Sequence, residues 1–390
     1  MFDKSNSELQ ELGAAITTQE IKQQPKLWQE TYNIYKESKE QIDTFLQKIV
    51  DKHDRVRIIF TGAGTSAFVG ETVAPYIQST LDQSIFDVRA IPTTSIVATP
   101  ELHLDKDTPT LLVSFARSGN SPESVKTVEL AKEIVTDLYQ LTITCAEEGK
   151  LAQSAIGDKT NYSLLMPEGS NDKGFAMTGA YTCMTLATVL VFSKYSEEEL
   201  DQYVNAIIDL GNEVVANEDI IKEALNRDFN RVVYLGSGVF EGLARESHLK
   251  VLELTAGDVN ASYESSLGFR HGPKSVVNAD TIVFGFVSNN DYTRLYDLDL
   301  LNEVNEDKIS ANTFAIQTRK NISFEGNAFT FESGNNLPDV FLVFPFVMFA
   351  QTVSLLASVA VNNKPDTPSP SGTVNRVVKG VILHDYKKGE

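Results

Sequence analysis

The sequence predicts an α/β protein built from two tandem units, each a mainly parallel sheet flanked by helices in the doubly wound, flavodoxin-like manner. Three observations carry this. Apolar runs of strand length alternate with helical segments along most of the 390 residues, the spacing of βαβ units. I-I-F-T-G-A-G at 58–64 and V-V-Y-L-G-S-G at 232–238 align residue for residue, and each reads as a strand entering a G-x-G turn before a helix. The composition, 42% apolar and 22% charged, is that of a folded chain long enough to bury more than one core.

In chain order, residues 1 to about 40 read as helix, with Trp28, Tyr32 and Tyr35 docking on the body and Pro25 near a start signal. A second helix is expected from Glu37 to Lys52. A strand over Arg55–Phe60 leads through Thr61–Ser66 into a helix ending near Thr80. A short strand at 86–90, a loop around Pro92-Thr93-Thr94 and a strand at 110–115 follow. Ala116–Ser124 then turns into a helix to about Thr136, with Pro122 in its first turn and serines before it. Strands at 138–144 and 161–166 precede a long helix from about Met177 to Tyr195.

Residues 196–230 are polar and helical, a connector. The second half repeats the plan: strand 231–235, helix 239–254, a loop, strand 281–287, helix 291–309, strands 313–318 and 328–331, and helix 338–361. The Pro-rich tail from Asn363 is expected to cross the surface. The predicted organisation is an N-terminal helical segment (1–44), a first unit (45–195), a connector (196–219), a second unit (220–361) and a tail contributing to the active site (362–390).

The net charge of −19 argues against a nucleic-acid partner, because such affinity rests on basic side chains at phosphates. An anionic substrate would instead need local donors, such as helix N-termini. Cys145 and Cys183 form no C-x-x-C pair and read as core thiols. The N-terminus shows no basic-then-apolar leader, so a cytoplasmic protein is expected. Val340–Val361 is long and uncharged enough to span a bilayer. It lacks basic flanks and holds Pro345 and Gln351, so a buried core or dimer-interface helix is expected rather than a membrane segment.

Several motifs are excluded. A dinucleotide fingerprint would need glycine where Ala67 and Glu241 stand, and neither a P-loop nor a G-x-S-x-G elbow occurs. No His, Asp and Glu cluster has metal-ligand spacing, so no metal and no cofactor is expected.

Two hydroxyl-rich stretches, Thr65-Ser66 and Ser118 to Ser121, open helices at strand ends. There backbone N–H groups, hydroxyls and helix dipoles converge on an anion, and Arg117 adds a charge. The alternative is two independent N-caps. Glu246, Lys250 and Glu253 are spaced i, i+4, i+7 and share one helix face. Glu253 lies between Leu252 and Leu254, and a carboxylate in such a setting needs a partner or a task. His271 sits in the rigid turn R-H-G-P, either as a proton shuttle or as a hydrogen-bonded turn residue. A carboxylate, a lysine and a histidine are the groups that proton transfer at a carbonyl carbon needs.

With G-A-G-T-S, R-S-G-N-S-P-E-S, L-K-V-L-E-L-T and R-H-G-P-K in this order, the chain resembles the sugar isomerase (SIS) family. It is similar to the isomerase half of glucosamine-6-phosphate synthase and most of all to the AgaS-type group, whose activity is that of a galactosamine-6-phosphate deaminase/isomerase or of a tagatose-6-phosphate ketose/aldose isomerase. The resemblance implies two tandem SIS units, a phosphorylated amino sugar as substrate, and a homodimer or higher homo-oligomer. It implies that Glu253 moves a proton between C1 and C2, that His271 opens the sugar ring, and that Lys250 and Lys379 are active-site lysines. Thr65, Ser66, Ser118 and Ser121 match its phosphate cradle. Where the synthase has Ser and Gln, this chain has Ala116 and Arg117, which makes the grip more ionic. No cysteine follows Met1, so no glutaminase half is expected and the reaction is expected to run toward ketose plus ammonia.

Overall fold

The computed structural model describes residues 1–319, 324–376, 378 and 380–386. The helices α1 (Asn6–Glu11), α2 (Ala15–Lys22) and α3 (Gln24–Val50) come first. They are followed by β1 (Val56–Thr61), α4 (Thr65–Thr80), β2 (Phe86–Ala90), α5 (Thr93–Ala98), β3 (Thr110–Ala116) and α6 (Pro122–Ile134). Next come β4 (Leu138–Thr144), α7 (Lys150–Gln153), β5 (Asn161–Leu165), α8 (Gly179–Phe192), α9 (Glu197–Ala216) and α10 (Glu218–Ala224). The second half holds β6 (Arg231–Gly236), α11 (Val239–Leu254), β7 (Asn260–Glu264), β8 (Thr281–Phe286), α12 (Asp291–Glu306), β9 (Asn312–Thr318), β10 (Asn327–Phe331) and α13 (Asp339–Ala360).

Two compact units result. One comprises residues 30–172, 179–194 and 374–390 and contains the sheet β2-β1-β3-β4-β5. The other comprises residues 1–29, 173–178 and 195–373 and contains β7-β6-β8-β9-β10. Every strand pair in both sheets is parallel. The strand orders are the same when read from each unit's second strand, so the repeat seen at the G-x-G turns extends through the whole topology. Both turns take the same backbone shape: Gly64 has φ 56° and ψ −130°, and Gly238 has φ 61° and ψ −123°. That left-handed conformation favours glycine. Gly62 and Gly236 are required for a different reason. A Cβ at Gly62 would lie 2.5 Å from the Ser66 carbonyl carbon, and one at Gly236 would lie 2.6 Å from the Phe240 Cβ.

The α11–α13 layer covers one face of the second sheet. Tyr234 stacks on Phe284 and Phe286, while Phe240 of α11 and Phe346 of α13 pack on Phe286. The opposite face carries Val233, Leu235 and Val283 against Phe269 and against Leu300 and Val304 of α12. Helix α13 has a mean hydropathy of 2.1 over its most apolar window, and 94% of that window is buried inside the fold. It is a core helix, one of the two placements expected from the sequence. Cys145 and Cys183 are free, buried thiols, and burial pushes Cys145 up to about 12.

The structure corrects the element reading in three places. The N-terminal region is three helices rather than two. Gly13, with φ +62°, breaks α1 from α2, and Pro25 lies in the first turn of α3, where its missing N–H costs nothing. Residues 93–98, expected as loop, form α5. The segment after α11, also expected as loop, contains the edge strand β7. Its sequence N-A-S-Y-E is polar and only half-buried, so it shows no apolar alternation.

Candidate active site

In the unit that contains the first sheet, β1 and β3 are adjacent and parallel, with Thr61 paired to Ser114. The strand order reverses about this pair, the switch point at which open α/β sheets bind ligands. The two hydroxyl-rich stretches leave these two strands at the same edge. Thr65 and Ser66 form the buried first turn of α4, whose N-cap is Gly64 with no side-chain capping bond. Ser121 is the N-cap of α6, and its side chain makes no capping bond either. Ser118 accepts from the Asn120 N–H at 3.4 Å, and Asn120 in turn accepts from the Lys150 N–H at 3.1 Å, which fixes the loop against α7.

Arg117 is buried beside this loop, and its Nη2 donates to the Arg376 carbonyl at 2.8 Å. Arg376 donates from Nε to the Asp172 carbonyl at 3.0 Å, and the Asp172 carboxylate accepts from the N–H groups of Gly179 and Ala180 at 3.1 and 2.9 Å. One nitrogen of the Arg117 guanidinium thus fastens the tail segment around Arg376. Lys379, three residues further on, lies outside the described residues.

In the unit that contains the second sheet, α11 presents Glu246, Lys250 and Glu253 on one face, as their spacing predicts. Lys250 is fully buried. Its Nζ lies 3.4 Å from Glu246 Oε1 and donates to Glu253 Oε2. The Glu246 side chain is buried, whereas that of Glu253 is 24% exposed. Burial drives the Lys250 pKa down, but the facing charges of Glu246 and Glu253 and the hydrogen bond to Glu253 outweigh it, and the net shift is upward. The result is a carboxylate that reaches solvent while a buried ammonium holds it from behind. Glu246 completes this group, a role the sequence reading placed on the right face without assigning.

His271 follows the short turn Gly268–Arg270, and its N–H donates to the Gly268 carbonyl at 2.9 Å. The turn is tied to α12 by Arg270 on Glu303 at 2.6 Å and by Lys274 on Glu303 and Asp307 at 2.5 and 2.6 Å. The imidazole is exposed, and among the described residues no hydrogen bond or ion pair links it to Lys250 or Glu253. Phe269, two residues earlier, packs on the sheet face opposite to α11. The second sheet therefore stands between helix α11 and the layer from which His271 emerges.

A further polar cluster, not picked out by the sequence reading, lies at the carboxyl edge of this sheet. The buried Asp297 accepts from Ser237 Oγ at 2.6 Å, from Ser266 Oγ at 2.5 Å and from the Ser288 N–H at 3.0 Å. Burial raises its carboxyl pKa against the pull of these three donors. Asp339 accepts from Ser288 Oγ at 2.5 Å and from the Asn289 N–H at 2.7 Å.

A family model described as SIS domain matches residues 52–194. The chain is 43% identical over 374 residues to the D-galactosamine-6-phosphate deaminase AgaS of Escherichia coli, covering 95% of this chain and 96% of that protein. It is 40% identical over 384 residues to the D-galactosamine-6-phosphate deaminase AgaS of Shewanella sp. strain ANA-3, covering 98% and 95%. Among solved structures, tagatose-6-phosphate ketose/aldose isomerase from Escherichia coli matches with a TM-score of 0.85 at 39% identity, covering 95% and 96%. The C-terminal domain of glucosamine-fructose-6-phosphate aminotransferase from Francisella tularensis shares the fold, with a TM-score of 0.71 at 16% identity over 90% of this chain and 98% of that one.

Proposed function

Because the chain belongs to the SIS-domain family, in the branch of the D-galactosamine-6-phosphate deaminases, we propose that it is a deaminating aldose–ketose isomerase acting on an amino-sugar 6-phosphate. D-galactosamine 6-phosphate plus water gives tagatose 6-phosphate plus ammonia. The observation that carries the reading is the ion pair of Lys250 and Glu253, a solvent-reaching carboxylate held by a buried cation.

Thr65, Ser66, Ser118 and Ser121 take the phosphate through hydroxyls and helix-start N–H groups, and Arg117 adds a charge-assisted contact. His271 moves the protons that open the ring and free the C1 aldehyde. That aldehyde acidifies the C2–H bond, and Glu253 removes the C2 proton to leave an enolamine. Glu253 returns the proton to C1. The C2 imine so formed adds water and expels ammonia, leaving the C2 ketone. Lys250 is fully buried, so its part is to orient the Glu253 carboxylate. Lys379 is assigned to the sugar's carbonyl end.

The sheet between α11 and the Phe269 layer favours a homodimer in which His271 of one copy serves the Glu253 of the other. An isologous pair places two such reciprocal contacts. An ammonia-release assay across galactosamine 6-phosphate, glucosamine 6-phosphate and neutral aldose 6-phosphates tests the function. Stoichiometric ammonia and ketose from galactosamine 6-phosphate is the expected result. Interconversion of neutral sugar phosphates without any ammonia from amino sugars would replace this reading with that of a plain isomerase.

A further inference from the structure

The switch point of the second sheet, between β6 and β8, is closed by the protein itself. In the unit with the first sheet, Thr65 and Ser66 begin the helix after the G-x-G turn. In the repeat their places are taken by Val239 and Phe240, and Phe240 is a core side chain packed on Phe286 and Phe346. Polar groups have moved to neighbouring positions. Ser237 stands where Ala63 does in the aligned turns. By strand register Ser266 stands where Thr93 does, and Ser288 where Arg117 does. The hydroxyls of Ser237 and Ser266 and the N–H of Ser288 converge on the carboxylate of Asp297, from the ends of β6, β7 and β8. An anion-shaped set of donors is thus retained, and a side chain of α12 fills it.

Two of the three segments so tied carry residues of the proposed reaction. Ser237 precedes α11, which bears Lys250 and Glu253. Ser266 lies in the loop that leads to His271. Resting on the acid/base reading above, we infer that Asp297 is a positioning residue for the reaction: through Ser237 it holds α11 with its Glu253, and through Ser266 it holds the His271 turn, each in the place from which it serves its own site. The far end of that turn is fixed by Arg270 and Lys274 on α12, so α12 grips it at both ends, through Asp297 and through Glu303. Loss of the Asp297 contact frees one end, and a helix or turn displaced by about 1 Å is enough to cost roughly 100-fold in rate.

The test uses the full-length protein carrying Asp297→Ala, Asp297→Asn or Ser266→Ala. Melting temperature, kcat and KM are measured with and without sodium formate, a carboxylate small enough to enter the vacated space. For Asp297→Ala the expectation is a kcat lowered about 10- to 100-fold with KM nearly unchanged. Formate should restore kcat and melting temperature together, and should leave wild type unaffected. Asp297→Asn, which turns an NH2 toward the serine hydroxyls, should be impaired and insensitive to formate. If Asp297→Ala does not fold, Ser266→Ala carries the test, with a lowered kcat at constant KM expected. Wild-type kcat in folded Asp297→Ala or in Ser266→Ala overturns the inference. So does formate restoring the melting temperature of Asp297→Ala while kcat stays low. Should wild type itself release no ammonia, the functional reading fails separately, because the formate-dependent melting temperature does not depend on activity.

Discussion

The ammonium of Lys250 and the carboxylate of Glu253 form an ion pair with one partner fully buried and the other 24% exposed. Glu246 stands behind the same ammonium at 3.4 Å. The charge that fixes the carboxylate is thus out of reach of solvent, while the carboxylate itself is not.

Glu253→Gln keeps the shape of the side chain and removes its basicity. The expected outcome is loss of solvent-deuterium incorporation at C2 of the amino-sugar phosphate, followed by proton NMR. kcat should fall by roughly 10²- to 10⁴-fold with substrate affinity retained. Exchange at a near wild-type rate would remove Glu253 as the base.

Lys250→Met leaves two carboxylates facing an apolar side chain. Breaking a buried pair in this way costs about 3–5 kcal/mol. Because the Lys250 pKa is raised, its contribution is complete below the unfolded-state value of about 10.5 and is lost as pH rises through the higher folded value. In urea titrations the gap between wild type and Lys250→Met should therefore be constant from neutral pH to about pH 10 and narrow above it.

If His271 serves the Glu253 of a second copy, two inactive variants rescue each other. Mixing Glu253→Gln with His271→Asn under conditions of subunit exchange should restore about a quarter of wild-type ammonia release, from mixed dimers with one intact site. A mixture as inactive as its parts would place both residues on the same copy.

The repeat supplies an internal control for the phosphate cradle. Gly62→Ala and Gly236→Ala introduce the same clash at equivalent turns, and each is expected to lower stability by about 1–3 kcal/mol. Only Gly62→Ala pushes on the Ser66 backbone, so it alone should raise KM several-fold. An equal rise in KM for both would show that the effect is one of global stability.

The tandem α/β plan was legible because buried parallel strands are continuous apolar runs and because the G-x-G turns repeat. The edge strand β7 was not, since a half-exposed strand with the sequence N-A-S-Y-E carries no such run. For the candidate site, helical spacing was enough to put Glu246, Lys250 and Glu253 on one face. The placement of Arg117 against the tail and the separation of His271 from α11 by a sheet are tertiary facts without a local signature. Asp297 was missed for the same reason. It is one acidic residue on a helix rich in them, and only the three strand ends around it set it apart.

Helix α13 has its one charge at its first residue, and it is almost wholly enclosed. Heating that opens this unit releases a segment greasy enough to clump with its like or to partition into detergent. Inactivation should then be a one-way, rate-governed event, with a melting point that climbs as the scan is run faster. The shelf life of the protein would follow from how seldom that helix comes out.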